Sequence, residues 1–393
     1  GQILALVGSK DYFGASYPEG CNSEKGKCLF DPQYDVATIG KRQPGSSFKP
    51  IIYAGAFEKG YTPSTLIWDT PTEFNPLCNP VINPVTDQSA DPNTNLVVEQ
   101  TKDSNGENCY SPKDYDEKTR GRLSLRQAIN QSLNIPSVKL LYLIGVQDAL
   151  KLAQKMGIST LTNPNRYGLS LVLGGGEVNL LEMASAYGCF PAEGLRYPPI
   201  GILKIENTNG DILYQNKKTP SRVLSTQTAR QINDVLSDNE ARLPVFAREN
   251  ALYFSGYQVA AKTGTTSNYV DVWTLGYTPF AVVGVWAGNN DNSPINKKTG
   301  LGLAAPIWRK IMINLLKTNP VQNFTKPDLV LPNKPILRGE TIPNEYHNIL
   351  YYVNKDDPLG PEPTDPNIDQ QYKNWEAGVQ YWLSQNPGQT GYK

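Results

Sequence analysis

Apolar and polar positions sort the chain into stretches of different character. The run Ile3-Leu4-Ala5-Leu6-Val7 reads as a strand. Ile51, Ile52, Tyr53, Ala56 and Phe57 then recur at helical spacing and predict a helix over 46–60. Residues 61–120, rich in Pro, Asn, Asp and Thr, have no periodicity and read as a long polar insertion. From Leu123 to Phe190 the pattern is helical. Leu125, Ala128 and Ile129 mark one short helix, and Pro136 suits the first turn of the next, with Val138, Leu141 and Tyr142 on one face. Ser132-Leu133-Asn134 therefore falls at a helix junction. Further helices are predicted over 146–156, closed by Gly157, and over 177–190 and 226–236. Residues 202–214 read as a hairpin turning at Asn209-Gly210. The runs 259–262, 270–277 and 281–287 follow one another closely and predict an antiparallel meander, with a closing helix over 306–316. After about Thr325 the composition shifts to Pro, Asn, Asp and Gln, which reads as an appended segment with little core of its own. The division expected is a domain over 1–320, including the 61–120 insertion, and an extension over 321–393.

A length of 393 residues agrees with this, at ~100–200 residues per domain. Lys and Arg total 37 and Asp and Glu total 37, so no net charge favours nucleic acid as a partner. The single imidazole, His347, lies near the C-terminus, which argues against a Ser-His-Asp triad or a multi-His zinc site. No apolar run approaches the ~18 residues of a membrane span. The chain opens at Gly1 directly into an apolar run, as expected of a piece whose upstream part would carry any signal or anchor. Cys21, Cys28, Cys78 and Cys109 sit in polar stretches and Cys189 in an apolar one. Bonds 21–28 and 78–109 would close loops in an oxidising compartment; five free thiols are the alternative. No Cys-x-x-Cys spacing suggests a metal, and no metal or cofactor is expected.

Three short constellations carry chemistry. In Ser46-Ser47-Phe48-Lys49 a hydroxyl and an amine three residues apart share a helix face. Serine needs a base to become a nucleophile, and with no histidine to hand a neutral lysine is the substitute. Pro44-Gly45 suits a tight entry to a helix start, where a backbone N–H can face a carbonyl oxygen. Alone, the motif reads first as a capping serine with a solvated lysine. Ser132 and Asn134 suit a proton relay and a substrate-holding amide, or simply helix caps. Lys262-Thr263-Gly264-Thr265-Thr266 ends an apolar strand with groups suited to a carboxylate, and Gly264 leaves room for a ligand; a plain turn is the alternative. Gly174-Gly175-Gly176 lacks the Gly-Lys-Ser/Thr of a phosphate loop and reads as a flexible connection near a cleft. Trp273 and Trp286 read as sheet core rather than groove.

Taken together, Ser-x-x-Lys, Ser-x-Asn and Lys-Thr-Gly occur in that order, 86 and then 130 residues apart. The flanks add Arg42-Gln43-Pro44-Gly45, Gln131 to Pro136, Leu173 to Val178, Asp271-Val272-Trp273, Val285 to Asn289 and Ala305-Pro306-Ile307-Trp308. Over roughly residues 1–316 the sequence resembles the transpeptidase domain of class A, bifunctional penicillin-binding proteins. The resemblance implies an α+β, serine β-lactamase/transpeptidase-like fold, with an antiparallel sheet flanked by helices and a mostly helical subdomain. It implies a peptidoglycan D,D-transpeptidase in which Ser46 attacks the penultimate D-Ala carbonyl of a stem peptide and releases the last D-Ala. The acyl-enzyme then passes to an amine of a neighbouring stem, and β-lactams acylate the same serine. Lys49 would be the general base, brought down from ~10.4 by burial and by Lys262. Ser132 would carry the proton to the leaving amine and Asn134 would hold the acyl side chain. Lys262, Thr263 and Thr265 would bind the terminal carboxylate beside Gly264, and the N–H groups of Ser46 and Thr265 would form the oxyanion hole. No cofactor is implied. The expected partners are stem peptides and β-lactams, with no nucleic acid. A glycosyltransferase domain and a membrane anchor would precede Gly1, on the extracytoplasmic face of a bacterial membrane. A serine β-lactamase shares the motifs, but the Glu-x-x-Leu-Asn string of class A lactamases does not occur between Ser132 and Lys262. A D,D-carboxypeptidase or a non-catalytic β-lactam sensor are the other readings.

Overall fold

The computed structural model describes residues 1–23, 27–80, 101–296, 298–329 and 331–388, so residues 81–100 of the polar insertion lie outside the described residues. In chain order the elements are α1 (Lys49–Glu58), β1 (Leu66–Asp69), β2 (Gly121–Ser124), α2 (Leu125–Asn130), α3 (Asn134–Ile144), α4 (Val146–Lys155), α5 (Leu180–Tyr187), β3 (Leu195–Arg196), β4 (Lys204–Glu206), β5 (Ile212–Gln215), β6 (Ser221–Arg222), α6 (Thr226–Leu236), β7 (Ala260–Thr265), β8 (Asp271–Tyr277), β9 (Val282–Gly288), α7 (Ala304–Thr318), α8 (Pro335–Arg338), α9 (Ile349–Tyr352) and α10 (Tyr372–Gln385). They fall into two bodies, one of Gly1–Glu58 with Gly145–Asp328 and one of Lys59–Ile144 with Leu329–Lys393.

The predicted meander is the three-stranded sheet of the first body, in the order β7-β8-β9. Its register sets Lys262 opposite Leu275, Gly264 opposite Trp273, and Trp273 opposite Trp286. Every residue of β8 is buried, because α7 packs on it through Trp308 and Met312, which meet Ala261, Val272 and Val285, and α5 and the Gly45–Phe48 turn pack on it as well. Trp308 also donates its indole N–H to the Val283 carbonyl at 3.2 Å. Helix α1 packs against α4 and α6. Eight of its ten residues are buried, so its apolar pattern runs all round rather than along one stripe. The hairpin turning at Gly210 is β4-β5. The apolar run at residues 3–7 is not a strand: Gln2 bridges Ile200, while Leu4, Leu6 and Val7 stay exposed. Ile3 N–H reaches the Ile200 carbonyl at 2.9 Å, but among the described residues the single bridge is not continued into a ladder, and strand structure needs a paired ladder as well as a pattern.

In the second body β1 and β2 pair antiparallel, Leu66 opposite Ser124. Ser124 then caps α2, accepting from the Gln127 N–H while the Gln127 side chain accepts from the Ser124 N–H. The segment after Thr325, expected to have little core, contributes α10 to this body. Trp375, Val379 and Trp382 repeat at four and three residues and bury one helix face. Trp382 meets Trp68 with ring centroids 5.8 Å apart, and Trp375 meets Phe74 at 5.9 Å and Tyr142 at 5.5 Å. Polar residues on the other face of α10 dilute this signal in the composition. Trp375→Ala is expected to destabilise the second body by about 3–5 kcal/mol, because it empties a fully buried indole site. A shift of the denaturant midpoint at unchanged slope would measure this.

Cys21 bonds Cys28 and Cys78 bonds Cys109, while Cys189 is a buried free thiol.

Candidate active site

Ser46 stands in the 3₁₀ turn Gly45–Phe48, which runs straight into α1 at Lys49. The turn is secured residue by residue. Ser47 donates its hydroxyl to the Pro44 carbonyl at 2.7 Å, and Tyr187 donates its phenol to the Ser47 carbonyl at 2.6 Å. Trp273 of β8 donates its indole N–H to the Gln43 carbonyl at 2.7 Å. Arg42 exchanges backbone hydrogen bonds with Val178. Its guanidinium donates to the Asn290 carbonyl at 2.8 Å and to the Asn292 side chain, and lies over the Trp286 ring. Trp286 in turn donates to Asp271 at 2.8 Å. Trp273 is therefore core, as read, whereas Trp286 is half-buried and braces Arg42.

This turn lies directly on β7. Gly45 has φ +54°, and a Cβ there would stand 2.6 Å from the Thr265 carbonyl oxygen. A Cβ on Gly264 would stand 2.2 Å from the Pro44 carbonyl oxygen. Only glycine permits the two backbones to approach so closely. Gly174 also packs on Gly45, so the Gly-rich segment is a packed support and not the flexible connection expected.

Lys49 and Lys262 are both buried. Lys262 donates its ammonium to the Thr263 carbonyl at 3.0 Å. Burial first, then the charges of Lys49 and of Arg242, push the Lys262 ammonium well below the ordinary lysine value. Arg242, held by the Ala261 carbonyl at 3.1 Å and by the Leu236 carbonyl, is itself pushed down to about 10 by burial. Ser46, Thr263 and Thr265 are half-buried and Gly264 is buried; the Thr265 hydroxyl accepts from the Gly300 N–H at 3.0 Å.

Ser132 and Asn134 lie on the second body. Ser132 ends α2 with φ +61°, a left-handed conformation that side chains rarely take. The turn is closed by Ser132 N–H to the Ile129 carbonyl at 3.0 Å and Leu133 N–H to the Ala128 carbonyl at 2.9 Å. Asn134 is the first residue of α3. Six of the eight expected site residues thus meet within the first body, and the other two share one turn of the second. Sequence reasoning gave no role to Tyr187, Arg242 or Gly300; Arg42 was legible only as part of the nucleophile segment. Among the described residues no group of three His, Cys, Asp or Glu is placed to hold a metal ion, and no helix is long and apolar enough to cross a membrane.

A model of the penicillin-binding protein transpeptidase domain matches residues 84–313, more than half of the chain. The chain belongs to this family. The matched span begins after Ser46-Ser47-Phe48-Lys49, so the nucleophile turn is argued from its own geometry. Penicillin-binding protein 1A of Aquifex aeolicus is 31% identical over 333 residues, covering 83% of this chain and 38% of its own length. Penicillin-binding protein 2D of Bacillus subtilis is 29% identical, covering 83% of this chain and 41% of its own length. The chain thus spans about two-fifths of the curated relatives it matches. The crystal structure of penicillin-binding protein 1A from Haemophilus influenzae superposes with a TM-score of 0.62 at 24% identity, over 79% of this chain and 48% of that one. PonA1 from Mycobacterium tuberculosis, in complex with penicillin V, gives 0.59 at 22% identity, over 76% and 75%. These penicillin-binding proteins share the expected architecture, an antiparallel sheet flanked by helices.

Proposed function

We propose that this penicillin-binding protein transpeptidase unit cross-links peptidoglycan stem peptides through a Ser46 acyl-enzyme, and that β-lactams acylate the same serine. The observation that carries the reading is the seating of the Ser46 turn on the Lys262–Thr265 end of β7, with two buried lysines beside it. Lys49, the next turn of backbone after Ser46, takes the serine proton as Oγ attacks the penultimate D-Ala carbonyl. Close lysine ammoniums repel in a buried site, so their neighbourhood favours a neutral amine. The N–H groups of Ser46 and Thr265 receive the oxyanion, and each such donor contributes ~10²–10³ in rate. Lys262, Thr263 and Thr265 take the terminal carboxylate, with Gly264 leaving space along the strand. Ser132 hands the proton to the departing D-Ala amine, and Asn134 holds the acyl side chain. An amine of a second stem then attacks the ester and frees Ser46. Both disulfides fit an extracytoplasmic site of action.

Incubation with a fluorescent penicillin, followed by peptide mass spectrometry, tests this. The expected result is one stable adduct, on the peptide containing Ser46. An adduct elsewhere, or none on folded protein, overturns the reading. Rapid turnover of the label would replace it with a β-lactamase.

A further inference from the structure

Within the second body the Ser132-Leu133-Asn134 turn is held by a group outside all three motifs. We infer that Asp114 is a positioning residue for this turn: its carboxylate seats the start of α3 and, with the adjacent Lys113 carbonyl, sets the direction of the Asn134 carboxamide. The role in substrate binding, though not the geometry, rests on the function proposed above.

Asp114 is buried. Its Oδ1 accepts from the Asn134 N–H and, at 3.4 Å, from the Ile135 N–H, the first donors of α3 that have no partner within the helix. A carboxylate there also meets the positive end of the helix dipole. Asn134 Nδ2 donates to the Lys113 carbonyl at 2.8 Å. A carboxamide held by its nitrogen presents its oxygen on the opposite side, as an acceptor for a peptide N–H. One residue pair, Lys113 and Asp114, thus grips both the backbone and the side chain of Asn134.

The pair is itself anchored. The strap leading to it is tied by Cys78–Cys109, and by Glu73, which accepts from the Tyr110 N–H at 2.6 Å and the Ser111 hydroxyl at 2.5 Å. Behind Asp114 stands Asp69 of β1, with Arg120 Nη1 3.8 Å from both carboxylates. Asp69 Oδ1 and Asp114 Oδ2 are buried and meet no N–H or hydroxyl donor among the described residues. Burial first, then the charge of Asp114, push the Asp69 carboxyl well above the ordinary range, which favours its neutral form beside Asp114. Asp114 thus turns Oδ1 to the start of α3 while its Oδ2 lies on the side of Arg120. Lys139, on α3, closes the ring by donating to the Trp68 carbonyl of β1 at 2.8 Å.

The test compares Asp114→Ala, Asp114→Asn and a stability control, Val379→Ala, in the whole chain. The readouts are the penicillin acylation rate, the melting temperature and a crystal structure. Asp114→Ala is expected to slow acylation on the order of 10- to 100-fold, the effect of a substrate-holding group displaced by about 1 Å. Asp114→Asn keeps an acceptor for the Asn134 N–H and should restore most of the rate. Val379→Ala should lower the melting temperature with little change in rate. An unchanged rate in Asp114→Ala, or rates that follow melting temperature across all three variants, overturns the positioning role. If Asp114→Ala does not fold, Asp114→Ser takes its place, too short to reach the Asn134 N–H. If the parent protein itself makes no adduct, the transpeptidase reading fails, and the crystal structure of the variant decides alone. An Asn134 carboxamide still on the Lys113 carbonyl would then sink the inference, and a released one would sustain it.

Discussion

Ser46→Ala is expected to abolish the penicillin adduct while leaving the fold and its melting temperature close to those of the parent. The substitution removes one hydroxyl from a half-buried turn that is supported by other residues: Ser47 to Pro44, Tyr187 to Ser47 and Trp273 to Gln43. No other group in the turn can replace it. Ser47 is wholly buried, and its hydroxyl is committed to the Pro44 carbonyl. Loss of a serine nucleophile in comparable acyl-transfer chemistry costs up to ~10⁶-fold. Labelling should therefore fall below detection, and non-covalent retention of a penicillin should persist. Mass spectrometry of the intact protein reads the first effect, and displacement of a reporter ligand reads the second. Continued labelling of the variant would move the nucleophile elsewhere.

Lys49→Ala is expected to slow acylation by about 10²–10⁴-fold, the range for a proton-transfer group, again without unfolding. Lys262→Met has a different signature. Lys49 and Lys262 each disfavour the other's charged form in a site from which water is largely excluded. Deleting the Lys262 charge relieves the repulsion, so Lys49 holds its proton to a higher pH. The acid limb of the acylation profile should then move upward in pH, and carboxylate-bearing substrates should bind more weakly. A pH profile measured on both variants separates the roles: a displaced limb marks Lys262 as the electrostatic partner, and a flat, uniformly low profile marks Lys49 as the base. An unmoved limb in Lys262→Met would disprove the coupling.

Much of the architecture could be read from periodicity. The helix over 226–236 coincides with α6, the hairpin turns where Asn209-Gly210 predicts, and the three-run meander is β7-β8-β9. These elements were legible because their patterns are local and strong. Residues 3–7 show the limit of the method, since an apolar run becomes a strand only where a partner strand meets it. The tail shows another: Trp375, Val379 and Trp382 share a helix face, yet a composition dominated by Pro, Asn and Asp hides that face. Asp114 was illegible for a further reason. It lies 20 residues from Asn134 in an aperiodic stretch, and nothing local marks it as the acceptor for a helix start.

By itself the sequence determined the order of the three motifs, the side chains that can attack, accept a proton and bind a carboxylate, and the family these point to. Those properties belong to residue types and short spacings. Tertiary structure alone decided that Gly45 and Gly264 bring the nucleophile turn onto β7, that Lys262 meets the charges of Lys49 and Arg242, and that Asp69 backs Asp114. Close approach, burial and charge coupling depend on distances through space. For residues far apart along the chain, only the folded chain sets those distances.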